Sequence, residues 1–145
     1  MPDQGSSSKA VFPDPTQRTP TILVVDDEAL IRAILSDYLQ ECGYKVLEGS
    51  NAEEAILIIE KSDVIIDLVF SDVRMPGSMD GFDLARWVRV NRPGLPIILT
   101  SGDAKKVSSA RELCEHEPFM AKPYDLKAVV AQIRASINTS RTKPV

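Results

Sequence analysis

The sequence predicts an α/β domain in which a doubly wound, five-stranded parallel sheet is covered by helices on both faces. Short apolar segments of strand length alternate with longer segments whose apolar residues recur at helical spacing. This alternation favours parallel strands, because a parallel pair needs a crossover connection, and such crossovers are right-handed. Polar residues also follow the ends of several of these strands. We expect the strand order 2-1-3-4-5, in which the first and third strands flank a ligand-binding crevice.

The first predicted unit is a strand followed by a helix. The strand spans Thr21–Val25, and the helix runs from Ala29 to about Cys42, where Gly43 ends it. Six apolar residues are predicted to share the buried face of this helix: Leu30, Ile31, Ile34, Leu35, Tyr38 and Leu39.

The second unit repeats this pattern. Its strand spans Tyr44–Leu47, and its helix runs from about Ala52 to Lys61. Asn51 and Glu54 have the spacing of a capping box, which places the start of this helix.

The third strand contains the apolar residues Leu68–Phe70, which are typical of a strand buried on both faces, and it ends at Asp72. Pro76 cannot belong to a central strand, because it lacks the N–H that such a strand donates. A loop then leads to a third helix over Phe82–Val90. Its predicted core-facing residues are Phe82, Ala85 and either Val88 or Leu84.

Two further strands complete the predicted sheet, Pro96–Leu99 and Phe119–Ala121. Between them, a helix from about Ala104 to Glu115 is the least apolar of the set, and its charged surface favours a solvated face over a partner contact. That surface contains Lys105, Lys106 and Arg111. The last helix runs from Asp125, a plausible N-cap, to about Ile137.

The chain has 145 residues, of which 43% are hydrophobic, and this is enough for one domain with a real core. Residues 1–20 are rich in proline and serine and are predicted to form a tail or linker. The folded domain is predicted to span residues 21–138, and residues 139–145 to form a frayed tail.

The charge and the cysteines narrow the classes of function. A net charge of −4 and a pI near 5.0 argue against nucleic-acid binding through overall positive charge. Cys42 and Cys114 have no metal-binding spacing, so free thiols in a reducing cytosol are the favoured interpretation. Neither an export signal nor an apolar segment of membrane-spanning length is apparent, and a cytoplasmic location is expected.

Five polar side chains are predicted to meet at the carboxyl edge of the sheet. Asp26 and Asp27 follow the first strand, Asp72 the third, Thr100 the fourth and Lys122 the fifth. Three carboxylates in one pocket repel each other unless a cation intervenes, and oxygen ligands without His or Cys favour Mg²⁺ or Mn²⁺. A carboxylate such as Asp72 can attack phosphorus to form an aspartyl phosphate. Thr100 and Lys122 would then stabilise the charge on the transferred oxygens.

These motifs resemble the receiver domain of two-component response regulators over about residues 20–138. The matching segments are Asp26-Asp27, Asp72-Val-Arg-Met-Pro76, Thr100-Ser101-Gly102 and Lys122-Pro123. The resemblance implies a flavodoxin-like fold, Asp72 as the phosphoacceptor, Asp27 as a direct metal ligand and Asp26 as a ligand acting largely through water. It also implies that the Arg74 carbonyl completes the metal shell and that Ser101 is small enough to admit a phosphoryl group.

Two features depart from the family pattern. The switch position is often tyrosine, and here it is Phe119, which has no hydroxyl and could report phosphorylation by packing alone. The loop from Met75-Pro76 to Gly81 is one residue longer than the commonest spacing.

The resemblance implies a signalling switch that takes its phosphoryl group from a sensor histidine kinase or a histidine phosphotransfer protein. Such a domain catalyses its own phosphorylation and dephosphorylation without being a classical enzyme. The surface formed by the fourth helix, fifth strand and fifth helix would change its affinity for a downstream protein, and a homodimer is possible. A stand-alone protein is favoured. The terminal receiver of a hybrid histidine kinase and an unphosphorylated binding module of the same fold remain open.

Overall fold

The computed structural model describes residues 18–61, 63–101, 119–121 and 125–142, and of residues 119–121 and 141–142 it describes the backbone alone. These residues form the following elements: β1 (Thr21–Val25), α1 (Ala29–Glu41), β2 (Lys45–Gly49), α2 (Ala52–Lys61), β3 (Leu68–Asp72), α3 (Gly81–Asn91), β4 (Ile97–Ser101), β5 (Phe119–Ala121) and α4 (Leu126–Thr142).

The strands form one parallel sheet with the order β2-β1-β3-β4-β5. This confirms the predicted architecture and strand order. The register aligns Val25 with Ser71 and Asp72 with Thr100. The carboxyl ends of β1, β3 and β4 therefore lie side by side at one edge of the sheet.

Alternate residues of the central strands feed two separate cores. Leu23 and Val69 belong to the core on the face that α2 and α3 cover. Ile22 and Leu68 belong to the core on the opposite face, which α1 and α4 cover. Helices therefore lie on both faces, as predicted, and β1 and β3 are buried along their whole length.

The element boundaries agree closely with the predicted ones, with local differences. β2 continues to Gly49, because this residue pairs with Val25. β3 ends at Asp72 as predicted, whereas β4 continues through Thr100 to Ser101 instead of ending at Leu99. In α1, Leu30 is 73% exposed and Ile34 is 48% exposed, so the predicted buried face of this helix was too wide.

Described residues on both sides of the predicted domain, residues 21–138, make contacts with it. At the amino end, Arg18 donates two hydrogen bonds to the Asp67 carboxylate, at 2.8 and 2.6 Å. The same carboxylate accepts the Thr21 N–H at 2.7 Å, so the packed chain begins before β1. At the other end, α4 continues to Thr142, and the Ser140 hydroxyl donates to the Gly94 carbonyl at 3.0 Å. That bond ties the last turns of α4 to the turn before β4.

Several predictions fall outside the described residues. These are the helix over 104–115 with its basic surface, Cys114 and Lys122-Pro123. Among the helices of the described part, none combines the length and apolar character that crossing a membrane requires.

Candidate functional site

Three carboxylates meet at the carboxyl edge of the sheet. Asp26, Asp27 and Asp72 each offer an oxygen, and these oxygens lie within 4.8 Å of one another. Asp26 is 2% exposed and Asp72 is 7% exposed, whereas Asp27 is open to solvent. The structure therefore brings together the three acidic residues that the sequence singled out.

Asp26 is held by the turn between β1 and α1. Its N–H donates to the Gly49 carbonyl at 3.1 Å, which extends the pairing of β1 with β2 by one residue. Its Oδ1 accepts the Glu28 N–H at 2.9 Å, and its carbonyl accepts the Arg32 guanidinium at 2.7 Å. Arg32 also pairs with Glu48 of β2 at 2.9 Å. Arg32 of α1 thus links the turn after β1 to β2, and these contacts orient the buried Asp26 carboxylate.

Asp72 is the last residue of β3, and its Oδ1 accepts the Arg74 N–H at 3.3 Å. The next residue, Val73, donates its N–H to the Thr100 carbonyl at 2.9 Å. Thr100 and Ser101 are 1% and 2% exposed at the end of β4. Two small hydroxyl-bearing residues therefore lie beside the carboxylate cluster in the neighbouring strand.

Gly81 begins α3 against the backbone of this site. Its N–H donates to the Val73 carbonyl at 2.8 Å. A Cβ on Gly81 would lie 2.5 Å from the Asp72 carbonyl oxygen and 2.7 Å from the Val73 Cα, which no side chain could accept without displacing the backbone. The sequence pattern alone predicts only a loop at this glycine. In the sequence, the signal of this close approach between two backbone segments was a glycine immediately before the predicted helix.

The loop between β3 and α3 makes a second contact that sequence reasoning missed. Glu53, in the first turn of α2, accepts hydrogen bonds from the Ser78 hydroxyl at 2.8 Å and the Ser78 N–H at 3.1 Å. The bond from the Ser78 hydroxyl holds the pKa of the Glu53 carboxyl below its usual value of 4.5. The charged carboxylate is therefore the form that holds this loop.

The donor set fits a hard divalent cation. Among the described residues, it consists of carboxylate oxygens from two adjacent strand ends and contains neither a His nor a Cys. Like charges this close are unfavourable together, and a divalent cation would offset their repulsion. Mg²⁺ suits such a site because it binds few carboxylates and retains water at its other positions.

Two predicted site residues cannot be placed by their side chains. Lys122 lies outside the described residues, and only the backbone of Phe119 is described. The pairing of β5 with β4 sets Phe119 opposite Leu99 and Ala121 opposite Ser101.

The chain is a doubly wound α/β protein. The cluster of Asp26, Asp27 and Asp72 forms a candidate metal site between β1 and β3, where the strand order reverses. Residues 22–134 match the family described as "Response regulator receiver domain". The chain belongs to this family, which confirms the resemblance seen in the motifs.

Named relatives agree with this assignment. The transcriptional regulatory protein AruR of Pseudomonas aeruginosa is 35% identical over 126 residues, covering 84% of this chain and 51% of AruR. The response regulator TrrA of Thermotoga maritima, solved in complex with Mg²⁺ and BeF, is 28% identical with a TM-score of 0.72, covering 81% of this chain and 99% of that chain. The receiver domain of the hybrid histidine kinase CckA is 32% identical with a TM-score of 0.67, and the match covers 81% of this chain and 98% of that chain. The chain spans about half or less of the length of the first curated relatives it matches.

Proposed function

We propose that this receiver domain is a phosphorylation switch in which Asp72 accepts a phosphoryl group from a phosphohistidine. The observation that carries the proposal is the approach of Asp26, Asp27 and Asp72 within 4.8 Å at the carboxyl edge of the sheet. Asp72 is also 7% exposed, so it is largely shielded from water while one face of the cluster stays open at Asp27. A shielded carboxylate beside an accessible metal site is what aspartyl phosphorylation requires.

In the proposed reaction, an Asp72 carboxylate oxygen forms a bond to phosphorus as the phosphorus–nitrogen bond of the donor breaks. The imidazole leaves with the electron pair of that bond and takes up a proton. Asp26, Asp27, Asp72 and the Arg74 carbonyl would hold a Mg²⁺ ion, which would neutralise charge on the phosphoryl oxygens. The Lys122 ammonium and the Thr100 hydroxyl would interact with those same oxygens, and Ser101 leaves space for them.

The proposed output follows from the position of Thr100. Its register opposite Asp72 means that a hydroxyl drawn toward the phosphoryl group shifts the end of β4, which pairs with β5 at Phe119–Ala121. A shift there alters the surface formed by β5, the predicted helix over 104–115 and α4. The added charge thereby biases an existing equilibrium between two conformations with different affinities for a downstream protein.

Treatment with acetyl phosphate and Mg²⁺, followed by intact mass measurement, tests the proposal. We expect a single phosphoryl adduct that hydroxylamine removes and that Asp72→Asn abolishes. Asp63→Asn is the matched control, because Asp63 is an exposed aspartate of the segment before β3 and lies outside the cluster. The absence of an adduct on the wild-type protein would contradict the switch and favour an unphosphorylated binding module of the same fold.

A second candidate is the receiver of a hybrid histidine kinase, which the similarity to the CckA receiver favours. The chemistry at Asp72 would be unchanged, and the phosphoryl group would pass from a kinase core within the same polypeptide. Sequencing upstream of the Met1 codon distinguishes the two: an in-frame kinase coding region supports the hybrid kinase, and a stop codon with no such region supports a separate response regulator.

A further inference from the structure

The loop between β3 and α3, residues 73–80, links the phosphoacceptor strand to α3 and carries the proposed metal ligand Arg74. Its ends are secured close to the sheet. Val73 bonds to the Thr100 carbonyl at 2.9 Å, and the Gly81 N–H returns to the Val73 carbonyl at 2.8 Å. At the helix end, Asp80 and Asp83 form a reciprocal capping box. Met75 is 8% exposed in the core that α2 and α3 cover, and Met79 packs against that core, so the outer turn around Gly77 lies between two packed methionines.

The outer turn is exposed at Pro76, Gly77 and Ser78, and Gly77 has a positive φ of 106°. An exposed turn gains little from burial, so its conformation depends on specific hydrogen bonds.

Glu53 supplies those bonds from a different part of the chain. Its Oε2 accepts both the Ser78 hydroxyl and the Ser78 N–H, at 2.8 and 3.1 Å. Its Oε1 is buried and accepts no hydrogen bond from the described residues, and it would lie 3.0 Å from a Cβ placed on Gly77. The carboxylate therefore packs directly over the glycine while it binds the next residue.

The start of α2, which carries Glu53, is held by contacts of its own. Glu53 lies in the first turn of α2, where negative charge is favourable next to the helix N-terminus. The Asn51 side chain accepts the Glu54 N–H at 2.7 Å, and the Glu54 carboxylate accepts the Ser50 N–H at 2.6 Å. Ala52 and Ala55 on either side are fully buried in the core. Glu53 is thus presented to the loop from a capped and packed helix start.

We propose that Glu53 is a positioning residue for the metal site. By holding Ser78, it fixes the loop so that the Arg74 carbonyl is presented to the cation; this inference rests on the proposed function of that site. Arg74 already contacts Asp72 through its N–H at a long 3.3 Å, so a loop released at Ser78 would loosen both the proposed ligand and the phosphoacceptor.

The test is Mg²⁺ binding by isothermal titration calorimetry, with urea unfolding of each variant measured in parallel. Glu53→Ala is expected to weaken Mg²⁺ binding about tenfold, the lower end of the range for partners that orient metal ligands. Ser78→Ala removes only the hydroxyl bond from an exposed residue and is expected to weaken binding less, in the same direction. Glu53→Gln keeps an acceptor oxygen and is expected to restore most of the affinity.

Glu54→Ala is the matched control. Glu54 lies next to Glu53 in the same helical turn and carries the same charge, but its bonds go to Ser50. This variant is expected to lose stability without losing Mg²⁺ affinity. Wild-type affinity in both Glu53→Ala and Ser78→Ala, or an equal loss in Glu54→Ala, would overturn the positioning role alone. A wild-type protein that binds no Mg²⁺ would instead overturn the proposed function of the site.

Discussion

Asp72 in β3 lies directly opposite Thr100 in β4, and the N–H of Val73 donates to the Thr100 carbonyl at 2.9 Å. The proposed phosphoacceptor and the proposed switch residue are therefore joined through backbone pairing as well as through the crevice they share. A displacement of the end of β4 would therefore act on this hydrogen bond to the residue after Asp72. This relationship makes Thr100 the residue through which phosphorylation would be read.

Thr100→Val is expected to leave phosphorylation of Asp72 largely intact and to suppress the conformational response. The hydroxyl is lost, but the β-branched shape remains, so the free energy of unfolding should change by about 0.5 to 1.5 kcal/mol. The measurement is the set of amide chemical-shift changes in β4 and β5 on adding Mg²⁺ and beryllofluoride. Thr21→Val is the control, because Thr21 is equally buried at the opposite end of the sheet. Wild-type shift changes in Thr100→Val would contradict the switch role.

Gly81→Ala is expected to destabilise the domain by about 3 kcal/mol or more, since its Cβ would meet the backbone of Asp72 and Val73 and one of them must move. Urea unfolding measures this loss. Gly94→Ala provides the comparison, because a Cβ there meets no atom of the described residues within 4 Å. Similar unfolding free energies for the two variants would show that the close approach of α3 to β3 is not required.

Arg18→Ala is expected to lower the free energy of unfolding by about 1 to 3 kcal/mol, because it leaves the Asp67 carboxylate, which is 9% exposed, with fewer partners. Arg86→Ala removes a guanidinium from the exposed pair with Asp83 and should cost about 0.5 kcal/mol or less. Thermal unfolding of both variants tests the difference. If Arg18→Ala were no more costly than Arg86→Ala, residues 18–20 would not belong to the packed domain.

The capping box of α3 predicts that the free energy of unfolding depends on pH. The Asp80 N–H, donating to the Asp83 carboxylate, holds the pKa of Asp83 below its usual value of 3.8, and Arg86 adds to this effect. The unfolded chain therefore binds this proton first as the pH falls. The stabilisation that the ionised Asp83 carboxylate gives to the folded state is complete above pH 3.8. It is lost as the pH falls through the lower pKa that Asp83 has in the folded state.

Asp83→Asn keeps a side-chain acceptor but cannot titrate, so its free energy of unfolding should fall less steeply than that of the wild type below pH 3.8. Urea unfolding across a pH series measures the two slopes. Equal slopes would mean that the Asp83 carboxylate is not preferentially ionised in the folded state.

Local pattern was enough to predict most of the fold. The apolar run at Leu68–Phe70 predicted a strand buried on both faces, and the run in β1 predicted a strand. Both strands are fully buried. The α1 prediction was too broad because periodicity shows which residues share a face and not how much of that face a neighbour covers. Leu30 and Ile34 lie at the edge of that face and remain exposed.

Contacts between distant residues were not predictable in the same way. The bonds from Arg18 to Asp67 and from Ser78 to Glu53 join residues 49 and 25 positions apart, and no local motif marks either pair. The cluster of Asp26, Asp27 and Asp72 was predictable although its members are also far apart in the sequence. Strand order and strand direction alone make the carboxyl ends of β1 and β3 neighbours.

A crystal structure of the protein with Mg²⁺ and beryllofluoride tests the central claim most directly, because beryllofluoride stands in for the transferred phosphoryl group. We expect beryllofluoride on a carboxylate oxygen of Asp72 and one Mg²⁺ ion at about 2.0 to 2.1 Å from oxygens of Asp27, Asp72 and the Arg74 carbonyl. Beryllofluoride on another carboxylate, or a Mg²⁺ ion bound away from these three residues, would contradict it.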